Sequence, residues 1–318
     1  MFIDALQYIA PSEGVFRQMR QGQMSAVHVT VGYHEDFEGV LANLQMWNGW
    51  FERCGDLIAR ATNMADIATA NAAGKTAILF GLQNPLALSA DLRRVELLHQ
   101  MGIRFCQVTY NQQSLLGAGC FEDHDSGLTA FGREVVDEMN RVGMIIDLSH
   151  AGHKTAMDVV AHSKRPVTVT HANADAWHPA PRNLHHDLIQ ALADTGGMMG
   201  FSLYPHHLKN GSACSLDEFS NMAAGLVDTY GEGVFGIGSD LCQNQPDSVV
   251  NWMRNGHWRK HPSPAAVFPE CPVWFENNTH FPGMAVGLAA AGLSDDAVAG
   301  ILGQNWLRFF QNGFQAND

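Results

Sequence analysis

Short apolar runs alternate with longer segments of helical periodicity from one end of the chain to the other. Several runs are apolar at consecutive positions, as in residues 144–146, which is typical of strands buried on both faces. The intervening segments place apolar residues on one face, as in residues 128–142 before Gly143. The pattern predicts eight strands, at residues 2–6, 26–31, 76–82, 104–110, 144–149, 166–170, 198–203 and 234–239.

This alternation favours a single fold class. Strand–helix–strand units make right-handed crossovers and a parallel sheet. Eight such units in about 300 residues is the size of a (β/α)8 TIM barrel. A doubly wound open sheet is the alternative, but that fold usually has a glycine-rich turn after its first strand, and this chain has none there. We therefore expect one α/β barrel domain over residues 1–318.

The segment 241–283 interrupts the alternation. It has no sustained periodicity and is rich in proline and tryptophan. We expect a long, ordered loop after the eighth strand. Loops of that length in a compact domain usually serve a function, as a lid or as a contact between subunits.

Composition narrows the classes of partner. The 318 residues include 19 Lys and Arg against 32 Asp and Glu, which gives a net charge of −13 and argues against a nucleic-acid or anionic-membrane partner. No apolar run is long enough to span a membrane, and the first residues do not resemble a signal peptide. The six cysteines form no C-x-x-C pair, which indicates reduced thiols in a cytoplasmic protein.

Polar residues follow the predicted strands at the end where TIM barrels place their active sites. Because the barrel wall is apolar, these residues are expected to converge on one site. His28, within the second strand, either lines the mouth or packs outward. The polar residues at the strand ends are Gln83, Asn84, Tyr110, Asn111, His150, His171, Asn173, Tyr204, His206 and Asp240.

Two histidines and one aspartate form the strongest subset. Neutral imidazoles and a carboxylate suit a Zn²⁺ ion, so His150, His171 and Asp240 predict a metal site. Asp240 is alternatively a general base that takes a proton from the attacking water. Arg182, in the loop after the sixth strand, suits a substrate carboxylate held in a bidentate fork, or else anchors that loop.

Four motifs resemble the membrane (renal) dipeptidase family, a branch of the amidohydrolase superfamily. Residues 146–150 are similar to its strand-five histidine motif, and His171 with residues 181–183 to its second histidine and substrate arginine. Residues 236–240 resemble the strand-eight motif with the catalytic aspartate, and residues 303–308 the closing helix. The resemblance implies a zinc-dependent hydrolase of dipeptides and, because the family often forms dimers, a homodimer contact within residues 246–282.

The sequence departs from the family pattern where that family binds its first zinc ion. The family begins with Asp-Gly-His-x-Asp, but residues 4–8 place Leu6 and Tyr8 at the two ligand positions. Gln83 replaces the carboxylate that bridges both metals, and residues 108–111 lack the strand-four histidine. These departures imply one metal ion rather than two, or none.

We therefore expect hydrolysis of an amide or similar C–N bond in a small amino-acid-derived molecule. His150 and His171 hold one zinc ion, with Asp240 or Gln83 as further candidate ligands. Asp240 and Tyr110 are the candidate catalytic residues, and Tyr110 or His28 faces the oxyanion. The candidate substrate-binding residues are Arg182, Asn111, His28 and Gln83. The alternatives are a metal-independent lyase or isomerase, and a metabolite-binding barrel that has lost its reaction.

Overall fold

The computed structural model describes residues 1–255 and 266–315, and within them strands and helices alternate. The strands are β1 (Phe2–Gln7), β2 (Met24–Gly32), β3 (Ile58–Arg60), β4 (Thr76–Leu82), β5 (Ile103–Gln107), β6 (Ile145–Asp147), β7 (Thr168–Ala172), β8 (Met198–Phe201) and β9 (Phe235–Ile237). The helices are α1 (Glu13–Gln21), α2 (Phe37–Arg53), α3 (Met64–Ala72), α4 (Arg93–Gln100), α5 (Ala130–Val142), α6 (His153–His162), α7 (His186–Thr195), α8 (Leu216–Tyr230), α9 (Ser248–Asn255), α10 (Phe281–Ala290), α11 (Asp295–Ala299) and α12 (Asn305–Gly313).

Eight of the strands close into a parallel barrel. The sheet runs from β2 through β1 and β9 back to β4, and β2 also pairs with β4, which completes the circle. The predicted (β/α)8 barrel is thus confirmed. The short strand β3 lies outside the circle, alongside the first half of β4, and the sequence pattern did not predict it.

The apolar side chains form two layers. One fills the space between the strands and the surrounding helices. The other fills the end of the barrel at which the strands begin, where Trp306 and Phe310 of α12 close it. The Trp306 indole N–H donates to the carbonyl oxygen of Ile237 in β9, at 2.9 Å. The end at which the strands begin is therefore packed with side chains, and open space is left at the carboxyl ends of the strands.

Local sequence signals set the helix ends. Ser215 begins α8 with a capping box, in which its hydroxyl accepts from the Glu218 amide and the Glu218 carboxylate accepts from the Ser215 amide. Gly143 ends α5 with φ = +81°, a conformation that glycine adopts without strain. These boundaries hold the strands that follow at fixed positions in the barrel.

The segment after β9 was predicted as an ordered loop, but its described part includes regular secondary structure. It contains α9 and a 3-10 turn at Asn278–His280 before α10 begins. Residues 256–265 of the predicted loop lie outside the described residues. Among the helices that the structure describes, none is long and apolar enough to cross a bilayer.

Candidate active site

A cavity of about 660 Å³ opens at the carboxyl ends of the barrel strands. That volume is within the usual range for a small-molecule site. From the predicted set, its lining brings together Gln83, Tyr110, Asn111, His150, Arg182, Tyr204, His206 and Asp240. It also includes Tyr33, Glu122, His207, Cys242 and Arg254. Strand ends from around the barrel thus contribute to one cavity.

The two predicted metal-ligating histidines lie side by side. His150 follows β6 with φ = +66°, and His171 lies within β7. Their Nε2 atoms are 3.0 Å apart. Tyr110 covers the His150 ring, with the two ring centroids 4.2 Å apart. The pair is buried, although His150 reaches the cavity lining.

The hydrogen bonds at Nδ1 assign the tautomer of both rings. His150 Nδ1 lies 2.7 Å from Asn111 Oδ1, which only accepts, so that nitrogen carries the proton. The Thr170 hydroxyl donates to Asp147 Oδ2 at 2.6 Å and lies 2.9 Å from His171 Nδ1, so it accepts from that nitrogen. Both Nε2 atoms are therefore unprotonated, and their lone pairs face each other.

Electrostatics favours the neutral form of both rings. Burial, and then the nearby Arg182 guanidinium, lowers the pKa of His150 and of His171 well below the usual histidine value. Neutral imidazoles are the form that binds a metal ion.

Asp240 lines the same cavity and lies just beyond β9. Its backbone has φ = +56°, and its amide donates to the Leu6 carbonyl at 3.0 Å. Burial raises the pKa of the carboxyl to about 7, against the opposing effect of Arg182. The preceding Ser239 is fixed by Asp4, which accepts from its amide at 2.8 Å and from its hydroxyl at 2.5 Å. Asp240 is thus a carboxyl group that exchanges its proton near neutral pH.

Arg182 is a buried cation in the lining of the cavity. One of its Nη atoms donates to the carbonyl oxygen of His171 at 3.0 Å. Its Nε is buried and has no hydrogen-bond partner among the residues that the structure describes. None of the ion pairs between described residues includes Arg182. An anion entering the cavity would satisfy these donors.

Gln83 presents an oxygen to the cavity. Its amide nitrogen donates to the Thr30 hydroxyl at 2.9 Å and to the Tyr33 hydroxyl at 2.6 Å. With both N–H bonds in use, Oε1 is the atom left for a ligand. The Tyr33 ring packs edge-on against Tyr8 and Tyr110, so this side of the cavity is neutral and aromatic.

His28 lies deeper than the predicted role requires. Its Nδ1 lies 2.5 Å from the Ala5 carbonyl, and its ring stacks on Phe105 at 4.1 Å, inside the barrel. His28 is not among the described residues that line the cavity. Its position therefore does not support a contact with substrate or with an oxyanion.

The expected convergence of His150, His171 and Asp240 on one point is only partly found. No group of three or more His, Cys, Asp or Glu side chains in residues 1–255 and 266–315 is arranged to hold a metal ion. The two histidines meet, but Asp240 is not their third ligand in this arrangement. Asp240 lines the same cavity as His150.

Sequence reasoning missed two groups of residues. Asp147 and Thr170 orient His171, and Asp147 lies only three positions before His150 in a motif that was already recognised. Tyr33 comes directly after β2, which ends at Gly32 and not at residue 31 as predicted. With the observed strand end, Tyr33 would have been among the polar residues that follow the strands. Arg254 lies on α9, which no sequence pattern predicted.

A comparison with known protein families matches residues 13–251 to the membrane dipeptidase family, peptidase family M19. The chain belongs to this family. The match covers more than half of the chain and includes Tyr110, His150, His171, Arg182 and Asp240.

Two curated proteins that the chain resembles are named as dipeptidases. The chain is 26% identical to the dipeptidase aclJ of Aspergillus oryzae over 259 residues, which is 80% of this chain and 56% of that protein. It is 27% identical to an uncharacterized dipeptidase of Schizosaccharomyces pombe over 174 residues, 53% of this chain and 42% of that protein. The chain thus spans about half the length of the curated relatives it matches.

Solved structures share the fold over nearly the whole chain. An amidohydrolase from Pseudomonas aeruginosa is 32% identical with a TM-score of 0.93, covering 99% of this chain and 96% of that one. A metallopeptidase from Rhodobacter sphaeroides, liganded with a phosphinate mimic of the dipeptide L-Ala-D-Ala, is 19% identical with a TM-score of 0.81, covering 98% and 99%. At 19% identity the second likeness supports the fold alone.

Proposed function

We propose that this protein hydrolyses an amide C–N bond in a small amino-acid-derived molecule, with one zinc ion. Family membership supports the reaction class. The observation that carries the proposal is the pair of unprotonated Nε2 atoms of His150 and His171, 3.0 Å apart. Two lone pairs at that distance repel unless a cation lies against both of them.

The chemistry of the pair fits zinc. Each imidazole is neutral, and each Nδ1–H is tied to an oxygen, which is the arrangement found behind zinc-ligating histidines. His150 and His171 would hold the ion, which when bound supplies a water of lowered pKa and polarises the scissile carbonyl.

A single ion is favoured by the residues at the carboxyl ends of β1 and β4. Leu6 is fully buried and offers no ligand atom, and Gln83 offers only a neutral carbonyl oxygen. Tyr8, whose ring packs against Tyr33, has a pKa raised above the usual tyrosine value by burial, so its hydroxyl stays protonated. These three residues lack the negative charge that would hold a second dication.

The remaining roles follow from what each side chain offers. Asp240, with its pKa near 7, takes a proton from the attacking water and returns it to the leaving amine. Arg182 holds a substrate carboxylate through its unpartnered Nε. The Tyr110 hydroxyl faces the developing oxyanion, and Gln83 Oε1 accepts from a substrate N–H. Asn111 fixes the His150 ring.

The test combines elemental analysis with turnover. Protein purified without added metal is expected to contain about one zinc per chain and to cleave members of a panel of dipeptides and N-acyl amino acids. Exhaustive chelation should remove the activity, and added zinc should restore it. Activity that survives chelation would identify a metal-independent reaction. Metabolite binding without turnover would identify a binding protein.

A further inference from the structure

A second arginine faces the cavity and is not used by the reaction proposed above. Arg254 lies in the last turn of α9 and lines the cavity together with Arg182. Unlike Arg182 it is exposed, so it lies at the rim rather than at the floor. The cavity thus presents guanidinium groups at two depths.

Neighbouring residues hold the Arg254 side chain over the opening. One of its Nη atoms lies 3.4 Å from His206 Nε2, and its guanidinium also meets the Tyr204 side chain. Its backbone carbonyl accepts from the Gln112 side chain at 3.5 Å. Because Tyr204, His206 and Gln112 all line the cavity, Arg254 is oriented toward the space that a ligand occupies.

Arg254 has no carboxylate partner in the described parts of the chain. None of the ion pairs between described residues includes it. Its own segment supplies none either, since residues 248–269 contain no Asp or Glu in a protein whose net charge is −13. Glu122 shares the cavity lining, but its carboxylate accepts from the Gln113 amide at 2.6 Å.

We propose that Arg254 binds a second anionic group of the substrate, so that the preferred substrates are amides of acidic amino acids. One carboxylate would lie at the buried Arg182, and the acidic side chain would extend to the rim. This inference rests on the proposed amide hydrolysis and names its substrate class. An arginine fork recognises a carboxylate through charge-assisted hydrogen bonds that the corresponding amide cannot match.

The experiment compares matched substrates. Ala-Glu is set against Ala-Gln, and Glu-Ala against Gln-Ala, each with an L or a D residue at the carboxyl end. We expect kcat/KM for the acidic member to exceed that of its amide by about tenfold or more in at least one pair. Arg254→Gln should reduce this ratio to about one by slowing only the acidic substrate. Arg254→Glu should invert it and favour the Lys-containing dipeptide.

The matched control is Arg133→Gln. Arg133 is exposed on α5, and in the described structure it does not line the cavity. This variant changes the net charge equally and should keep the wild-type ratio. A ratio below about two in every wild-type pair, or a ratio unchanged by Arg254→Gln, would overturn the inference while leaving amide hydrolysis in place.

Failure of the proposed reaction gives a different result. If no dipeptide or N-acyl amino acid is cleaved, titration calorimetry with the same dipeptides still decides the role of Arg254. Tighter binding of the acidic member that is lost in Arg254→Gln supports the subsite without turnover. Equal binding of both members, or no binding, rejects it.

Discussion

The two sides of the barrel mouth are both formed by the carboxyl ends of strands, but they differ in the side-chain atoms that could bind a metal ion. On the β6–β7 side, His150 and His171 present bare nitrogen lone pairs, and Asn111 and Thr170 fix both rings. On the β1–β4 side, the side chains are Leu6, Tyr8 and Gln83, and the last of these is tied to Tyr33. The β6–β7 side thus has oriented nitrogen atoms of the kind that bind a metal ion, whereas the β1–β4 side has no charged side chain among these three residues.

The largest expected effect comes from removing either imidazole of the β6–β7 side. His171→Ala or His150→Ala should abolish zinc uptake and reduce kcat/KM by about 10³-fold, since the charge on the oxyanion loses its stabilisation. Zinc content by mass spectrometry and turnover are measured on the same samples. His153→Ala, an exposed histidine paired with Asp187 on the barrel exterior, is the control and should change neither. A His150→Ala variant with full activity would refute the assignment.

A substitution of Asp240 tests whether the proposed general base is separate from the proposed zinc ligands His150 and His171. Asp240→Asn should lower kcat by about 10²-fold, at the lower end of the usual contribution of a general base. Zinc content should stay unchanged, because Asp240 is not a ligand in this arrangement. A loss of zinc in this variant would show that the carboxylate joins the metal site after all.

The pH profile examines the same group without a mutation. The pKa of Asp240 is raised to about 7, so the carboxyl is protonated below that pH and ionised above it. The carboxylate is the base, so kcat/KM should rise with pH through about 7 and then level off. In Asp240→Asn this inflection should disappear. A wild-type profile that is flat from pH 5 to pH 8 would contradict the assignment of Asp240 as the base.

A substitution of Thr170 tests the hydrogen bond that orients the His171 imidazole. Thr170→Val removes the acceptor that fixes His171 Nδ1–H, so zinc affinity should fall by about 10- to 100-fold. The affinity is measured by competition with a chromophoric chelator. Thr168→Val on the same strand is the matched control, because the Thr168 hydroxyl bonds to the Met198 carbonyl instead of to a ligand. Equal losses in both variants would indicate a general effect on β7.

The smallest change is expected on the β1–β4 side, where ligands would be restored. The triple variant Leu6→His, Tyr8→Asp and Gln83→Glu should increase the zinc content from about one to about two per chain. Thermal unfolding is followed in parallel, because Leu6 is fully buried. A folded triple variant that still binds one zinc would show that more than these three side chains separates the two sides.

The barrel itself could be predicted because each of its eight strands is a compact apolar run. The failures came from short or irregular elements. Strand β3 has only three residues and pairs beside β4 rather than within the circle, so no periodicity reveals it. Helix α9 lies in a segment where prolines and tryptophans hide the helical pattern.

The site was predicted as a set of strand ends, but its distances could not be. A position at the end of a strand shows at which end of the barrel a residue lies. It does not show how far the side chain extends across the cavity. This is why His150 and His171, on neighbouring strands, meet as expected, while Asp240 stays apart from them. The depth of His28 depends on strand register, which the sequence does not display.

The hydrogen bond from Arg182 to the main-chain oxygen of His171 links the proposed carboxylate-binding residue to a proposed zinc-binding residue. In the proposed function, Arg182 would bind a substrate carboxylate and His171 would bind the zinc ion, and this hydrogen bond connects the two residues. If zinc and a carboxylate both bind, we expect each to favour the binding of the other, and thermodynamic reciprocity requires the two effects to be equal. Titrations with zinc in the presence of carboxylate ligands should therefore yield a tighter constant than titrations with zinc alone.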